Sequence, residues 1–433
     1  MRLRQYQTRT ADETEKQLAR GHNVLIQAPC GSGKTEIAIE LVQRIRRRWL
    51  IVVHTNVLAE QTERRFREAG VDVERYGASD GPPEADVVIT SIQMALIRDE
   101  NRKLAPDLIC YDEAHHYQAV TWSDLAERYP NAQRVGLTAT PERQDGKSLL
   151  RHFDRIVVAA PYRDLITQGV LVRSHVWASA TTYPEGLAAD PIEAWNEYSE
   201  GAKTIVAFGK IHEARLWAER FNSVLSRYGR RAACVDGDTK WQYNQATLRE
   251  FSEGTIDVLT NVYYIAEGFD LPDVGCIVLA RRFGFRGSYM QFVGRALRSA
   301  PDKSHATIID LTGATHRHGR PDNDRPWTVS DHEPPHVPLR GYGGEREGVP
   351  RRDLHVSGEG LVCMTPIRAR NGDAPTIPSP KPLVRGLRVK GYHGDAALVD
   401  LAKRERRIAA KKTVEIAREW AARERRRHVS LVD

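Results

Sequence analysis

The fold turns on one stretch, Val24-Leu25-Ile26-Gln27-Ala28-Pro29-Cys30-Gly31-Ser32-Gly33-Lys34-Thr35. Its apolar opening has the continuous character of a strand buried on both faces, and residues 36–48 after it carry a helical pattern. A strand, a glycine-rich turn and a helix N-terminus in that order make a cradle for phosphate. Backbone N–H groups wrap the oxygens, a lysine reaches the β- and γ-phosphates, and a hydroxyl binds Mg2+. Gly31, Ser32, Gly33 and Lys34 fill the phosphate positions, and Thr35 fills the metal position. Ala28 stands first, where the strict pattern has glycine, at a position outside the phosphate contacts. The alternative of a chance glycine-rich turn does not explain why a strand and a helix flank it.

A phosphate-binding loop that hydrolyses its ligand needs one acid for the metal and another near the attacking water. Asp112-Glu113-Ala114-His115 offers both, directly after the apolar run Leu108-Ile109-Cys110-Tyr111. Asp112 therefore emerges at the carboxyl end of a strand, where open α/β sheets bind ligands. Asp112 is assigned to Mg2+ and Glu113 to the water. Taken alone, an acidic pair after a strand is more often a helix cap. The loop at residues 28–35 reverses that balance.

Further strand-like runs accompany these two. Leu50-Ile51-Val52-Val53, Val87-Val88-Ile89 and Val135-Gly136-Leu137 belong to a first series. Thr204-Ile205-Val206-Ala207-Phe208, Ala232-Ala233-Cys234-Val235, Val258-Leu259, Cys276-Ile277-Val278-Leu279-Ala280 and Thr307-Ile308-Ile309 form a second. Helical patterns such as 36–48 and 211–227 separate them, so each half is expected to be an α/β unit with a doubly wound parallel sheet. The expected domains are residues 1–172 and 173–320. Their junction lies within 160–195, where a helical stretch 162–168 ends at Gly169 and a loop-like stretch 181–191 follows. Residues 321–395, rich in Pro, Gly and Arg, are expected to be irregular, and residues 396–433 to form a basic helical tail.

A chain of 433 residues is long for one ordinary domain and comfortable for two. With 41% hydrophobic and 28% charged residues it has the composition of an ordinary soluble protein, so burial does not limit it. The net charge of +7 leans toward a polyanionic partner. Between residues 403 and 427, eleven Lys and Arg stand against four Glu, a balance that equals the charge of the whole chain. No apolar run approaches the ~20 residues of a membrane span, and Met1-Arg2-Leu3-Arg4-Gln5-Tyr6-Gln7 has no signal-peptide core. The expectation is a cytoplasmic protein with no membrane partner. Cys30, Cys110, Cys234, Cys276 and Cys363 lack paired C-x-x-C spacing and are expected to be reduced thiols rather than zinc ligands. His316, His318, His332 and His336 have no cysteines or HExxH helix beside them and are expected to be loop histidines.

More motifs complete an ordered set: Leu3-Arg4-Gln5-Tyr6-Gln7, His54-Thr55-Asn56, Thr90-Ser91-Ile92-Gln93, Leu137-Thr138-Ala139-Thr140-Pro141, Glu267-Gly268-Phe269-Asp270-Leu271-Pro272 and Gln291-Phe292-Val293-Gly294-Arg295-Ala296-Leu297-Arg298. With the phosphate loop and the acidic box, this set covers about three quarters of the chain and resembles the DEAD/DEAH superfamily 2 helicases. Within that superfamily it is similar to bacterial and phage DNA helicases related to the type III restriction motor and the eukaryotic repair helicase group. The resemblance implies two tandem RecA-like P-loop domains, with ATP and Mg2+ in the cleft between them. It implies that Gln7 reads adenine, that Gly268 and Asp270 lie near the ribose, and that Thr55, Asn56, Thr90 and Ser91 touch the nucleic-acid backbone. Thr138 and Thr140 would couple the ATP site to that track. Arg295 and Arg298 would act as arginine fingers, and Gln291 would help place water. Residue spacing supports the last set, because offsets of 0, 4 and 7 fall on one face of a helix. Some relatives end in a four-cysteine zinc ribbon, for which this chain offers only Cys363.

The expected function is an ATP-dependent DNA helicase or translocase that grips phosphates and sugars, with sequence-independent and salt-sensitive affinity. DNA is favoured over RNA because RNA helicases of the DEAD-box group more often carry Ser-Ala-Thr where this chain has Thr138-Ala139-Thr140. Two alternatives remain: an RNA helicase or nucleotide-gated RNA clamp, and a duplex-translocating motor subunit of a nuclease or restriction assembly. The basic tail, with a partial apolar stripe at Leu398, Leu401, Ile408, Ile416 and Trp420, suits phosphate tracking, branch recognition or docking of a protein partner.

Overall fold

Strands whose every side chain is apolar need a sheet covered on both faces, and the chain builds two such sheets. The computed structural model describes residues 3–76, 83–98, 104–116, 120–142, 149, 152–179, 186–265, 271, 273–327 and 361–363. The first sheet holds β1 (Val24–Gln27), β2 (Trp49–Val53), β3 (Glu74–Arg75), β4 (Val87–Ser91), β5 (Leu108–Asp112), β6 (Gln133–Thr138) and β7 (Arg155–Val158), in the order β3-β4-β2-β5-β6-β1-β7. All its pairings are parallel. Its helices are α1 (Gln5–Ala19), α2 (Lys34–Arg44), α3 (Asn56–Glu68), α4 (Ile92–Arg98), α5 (Val120–Arg128) and α6 (Tyr162–Thr167).

The second sheet repeats the first, place for place. Its strands are β8 (Arg173–Ser179), β9 (Thr204–Ala207), β10 (Ala232–Val235), β11 (Val258–Asn261), β12 (Cys276–Leu279), β13 (His305–Asp310) and β14 (Leu361–Cys363), in the order β10-β11-β9-β12-β13-β8-β14. β14 alone pairs antiparallel, against β8. The accompanying helices are α7 (Pro191–Tyr198), α8 (Ile211–Leu225), α9 (Trp241–Ser252), α10 (Arg286–Val293) and α11 (Ala314–His318). Each sheet is packed on both faces, as double winding requires. Trp122 and Phe153 fill one face of the first sheet, and Trp195, Trp217 and Phe221 fill one face of the second. The remaining faces belong to one apolar cluster that runs through Tyr162, Leu165 and Leu171 from one domain into the other. Complete burial of each large side chain stabilises the fold by roughly 1.5–3 kcal/mol, which is why both sheets read as continuous apolar runs.

The runs expected as strands all form strands, and four further strands have weaker patterns. β3 is two residues long, β7 is an edge strand with exposed Arg155 and Val158, β8 alternates buried and less buried residues over most of its length but opens with three polar ones, and β14 is three residues long. The helix expected over 36–48 stops at Arg44. Ile45 is extended, and its carbonyl accepts from Arg47 N and Trp49 Nε1, which turns the chain into β2.

The segment expected to be irregular from 321 onward contains more order than that. Asp322 accepts from Ser174 N at 3.0 Å, Arg325 donates to the carbonyls of His318 and Arg320, and residues 361–363 form β14. The tail 396–433 lies outside the described residues. His316 and His318, expected in a loop, lie on α11, where each ring Nε2 contacts a main-chain carbonyl at 2.7 Å: Ser179 O for His316, Phe283 O for His318. Burial depresses the His318 imidazole to about 4. His332 and His336 lie outside the described residues. Among the described residues no cluster of three or more candidate ligands could hold a metal, and Cys30, Cys110, Cys234 and Cys276 are free thiols. No helix among them is long and apolar enough to cross a membrane.

Candidate active site

The cradle forms where β1 ends and α2 begins. Gly31 and Gly33 both take φ of 82°, a left-handed conformation open to glycine at little cost. A Cβ at Gly31 would meet Arg298 Cγ at 2.8 Å, and one at Gly33 would run into Gln7 Nε2. The loop thus keeps bare backbone where N–H groups must approach an anion. The first N–H groups of α2 have no carbonyl partner within a helix, and the helix dipole adds to their attraction for phosphate. Backbone amides, an ammonium at Lys34, a hydroxyl at Thr35 and a carboxylate at Asp112 are the donor set of a Mg2+-bound polyphosphate.

Helix α1 braces this loop from behind. Tyr6 Oη donates to Ser32 O at 2.5 Å, and Gln7 Nε2 donates to the same carbonyl at 3.2 Å. Gln7 Oε1 accepts from Arg4 N at 2.9 Å, so the structure brings Gln7 to the phosphate loop with both ends of its amide engaged. Ser32 is buried, its hydroxyl bonded to Pro29 O at 2.7 Å.

Asp112 is the last residue of β5, and its Oδ1 accepts from Glu113 N at 3.0 Å. Glu113 has φ of 52°, unusual for a residue with a Cβ, which turns its carboxylate toward Lys34. Lys34 Nζ lies 3.2 Å from Glu113 Oε1. Burial works to lower the Lys34 pKa, but Glu113 foremost, with Asp112 adding to it, outweighs burial and holds the ammonium above its usual value.

His115, three residues past Asp112, joins this cluster, though the sequence assigned it no role. It is buried, with Nδ1 3.4 Å from Glu113 Oε2 and 3.3 Å from Thr138 Oγ1. Gln291 Nε2 lies 2.8 Å from its Nε2. The amide donates there, which leaves the Nδ1–H for Thr138 and Glu113. Only its place in the acidic box could have marked it out. A polar chain thus runs from Lys34 through Glu113 and His115 to Gln291 in the other domain, with Thr138 as a branch. Thr138 Oγ1 is also tied to both N and O of Thr140, and Thr140 faces Gly287 in α10.

Gln291, Arg295 and Arg298 do not share a helix, contrary to the spacing argument. α10 ends at Val293, and residues 294–297 continue in tight turns whose N–H groups bond three or four residues back. The reason lies in packing: Gly294 is so close to the phosphate loop that a Cβ would meet Cys30 Cβ at 2.9 Å and Met290 O at 2.7 Å. Tightening brings the two arginines in by another route. Arg295 is buried, and the stem of Arg298 lies over Gly31. The backbone of Arg298 forms a bridge with Leu171, Val172 N donates to Leu297 O at 2.8 Å, and Ser299 Oγ donates to Val170 O at 3.1 Å. On the other side Lys303 Nζ bonds Arg298 O at 2.8 Å and Val274 O at 2.6 Å.

A second contact across the cleft was not foreseen. Arg286 at the start of α10 pairs with Glu142, just after Thr140, at 2.8 Å, with both side chains largely buried. Of the residues assigned to nucleic acid, Thr55 and Asn56 are exposed at the start of α3, and Ser91 Oγ contacts Asn56 Oδ1 at 2.6 Å. Thr90 and Ser91 are both buried, the Thr90 hydroxyl bonded to Tyr76 O and Ser91 O. Gly268 and Asp270 lie outside the described residues.

Comparisons with known proteins agree with this architecture. The family described as type III restriction enzyme, res subunit, matches residues 1–143, and the helicase conserved C-terminal domain matches residues 190–300. A 51.5 kDa protein of a Lactococcus phage is 26% identical over 330 residues, covering 70% of this chain and 68% of its own. The DNA 3'-5' translocase XPB2 of Sulfurisphaera tokodaii is 24% identical over 368 residues, 72% of this chain and 82% of its own. Other curated relatives are longer, with only 52% and 58% of their length matched. Among solved structures, a fragment of a putative HsdR subunit of a type I restriction enzyme from Vibrio vulnificus superposes with a TM-score of 0.59 at 23% identity, over 74% of this chain and 66% of that one, and shares its fold. The chain belongs to the superfamily 2 helicases, in the group related to the motors of restriction enzymes.

Proposed function

We propose that the chain is an ATP-dependent DNA translocase or helicase whose cleft hydrolyses ATP. The observation that carries this reading is the continuous polar chain from Lys34 through Glu113 and His115 to Gln291, which joins the phosphate loop of one domain to the arginine-bearing turns of the other. Gly31, Ser32, Gly33 and Lys34 would hold the β- and γ-phosphates, and Thr35 and Asp112 would hold Mg2+. The metal bound there supplies positive charge against the phosphate oxygens. Lys34, in turning from Glu113 to a phosphate oxygen, leaves Glu113 to accept a proton from water. Gln291 and His115 keep that carboxylate aimed, and Arg295 and Arg298 face charge that develops on the transferred group. Thr138 and Thr140, through His115 and α10, pass the closure of the cleft toward the backbone contacts at Thr55, Asn56 and Ser91. Adenine and ribose contacts are assigned to Gln7, Gly268 and Asp270. The residues 1–172 and 173–320 are the proposed domains.

DNA is preferred because a relative matched over most of its length is named a DNA translocase and the restriction-type family model covers the phosphate loop. The test is steady-state ATPase activity without nucleic acid and with single-stranded DNA, duplex DNA and RNA, alongside Glu113→Gln. Stimulation by DNA that the substitution abolishes is expected. Stimulation by RNA alone would reassign the substrate, and activity that survives Glu113→Gln would remove Glu113 from the water.

A further inference from the structure

Three rings stand largely exposed on one edge of the second sheet: Trp241 and Tyr243 (62% and 59%) at the start of α9, which follows β10, and Tyr263 (61%) just past β11. Tyr263 is held, not merely displayed. Its backbone takes a φ of 53°, and the Arg281 guanidinium lies 4.2 Å from its ring centroid. Arg281 in turn sits 3.8 Å from the centroid of buried Phe283, and its carbonyl accepts from Thr312 Oγ1 at 3.1 Å. Phe283, Arg281 and Tyr263 therefore form a stack built up from the core, with the outer face of the last ring in solvent.

The place of Tyr263 in the fold gives this stack a partner. β11 occupies in the second sheet the position that β4 occupies in the first. β4 ends in Ser91, whose buried hydroxyl donates to Asn56 Oδ1 and so leaves the exposed Asn56 amide N–H groups, suited to phosphate oxygens, at that strand end. At the equivalent strand end the second domain offers a ring backed by a cation. The face of an exposed ring is a good platform for the π face of a base, a contact that a phosphate cannot make, and a guanidinium beneath it strengthens the attraction. Exposed Lys240 and Asp238 balance each other just before α9, while Asp236 is paired with Arg215.

We infer that Tyr263 stacks on an unpaired base, so that the first domain grips the backbone of a DNA strand and the second domain grips its bases. This rests on the proposed DNA-translocating activity and narrows its substrate to a single strand with accessible bases, since a closed duplex presents no base face at its surface.

Binding of the full chain to a fluorescent oligothymidylate and to an abasic strand of the same length tests it. The wild-type chain is expected to bind the base-bearing strand roughly tenfold more tightly, Tyr263→Ala to lose most of that preference, and Tyr263→Trp to keep it. Affinity for the abasic strand reports the backbone grip and the folded state of each variant. A preference that survives Tyr263→Ala, or equal weakening on both strands, overturns the assignment. A wild-type chain indifferent to bases defeats the stack alone, whereas one that binds neither strand defeats the translocase reading beneath it.

Discussion

Glu113 and Lys34 form a pair that nucleotide binding, in the proposed function, separates, and the proposed chemistry depends on what replaces it. Glu113→Gln removes the proposed base and the ion pair together, and ATPase activity is expected to fall by roughly 10^2–10^4, the usual contribution of a positioned general base. A different single residue sets the response to acid. His318 stays neutral in the fold down to about 4, against roughly 6.5 in the unfolded chain. Between those values the unfolded chain takes a proton that the folded one refuses. Stability present above pH 6.5 is therefore lost as pH falls toward 4, by about 3 kcal/mol in all. Urea midpoints at pH 7 and pH 4.5 should differ less in His318→Gln than in the wild-type chain; an equal difference would exclude this histidine as the source. At this scale the meeting of Lys34 with the acidic pair Asp112 and Glu113 was legible because residue type at a fixed spacing points to it. His115 and Arg286 were not, since each gains its role from a partner in the other domain that no local spacing reveals.

Helix α10 shows how an element is shaped by what it must approach. The spacing of Gln291, Arg295 and Arg298 suggests a single helical face, yet the helix ends at Val293 because Gly294 meets the phosphate loop. Gly294→Ala would push the turn from Cys30 and is expected to lower kcat at least tenfold, checked by single-turnover hydrolysis with thermal unfolding as the control for folding. The same element is anchored at its start by Arg286 and Glu142. Arg286→Glu and Glu142→Arg are each expected to reduce DNA-stimulated ATPase, and the double exchange to recover part of the loss, with a coupling of about 1–3 kcal/mol. Additive losses would show that the pair carries no interaction between domains. Strand positions were readable because complete burial leaves an apolar signature. β3, β7, β8 and β14 were not, being short or lying toward a sheet edge where one side chain in two faces polar surroundings.

The described residues build two sheets of one strand order, and the pattern of alternating strands and helices was enough to show two doubly wound sheets, though not their order. What that pattern could not show is how the two touch. Nucleic-acid affinity that depends on phosphate contacts should fall steeply with salt, log affinity declining linearly with log salt concentration. Removing residues 396–433 is expected to shrink that slope, measured by anisotropy between 50 and 200 mM salt (about the range where such effects are largest); an unchanged slope would take the tail off the phosphates. One feature of the contact has a mechanical sense. The bridge between Leu171 and Arg298 makes the connecting segment and the turn that carries Arg298 neighbours. If the second domain swings about that segment, Arg298 moves on an arc whose radius is about the 5 Å spacing of paired strands. On so small a radius even a wide swing displaces the backbone of Arg298 little. The stroke then changes the aim of its guanidinium far more than its distance from the phosphate cradle, as a key turns in a lock without leaving it.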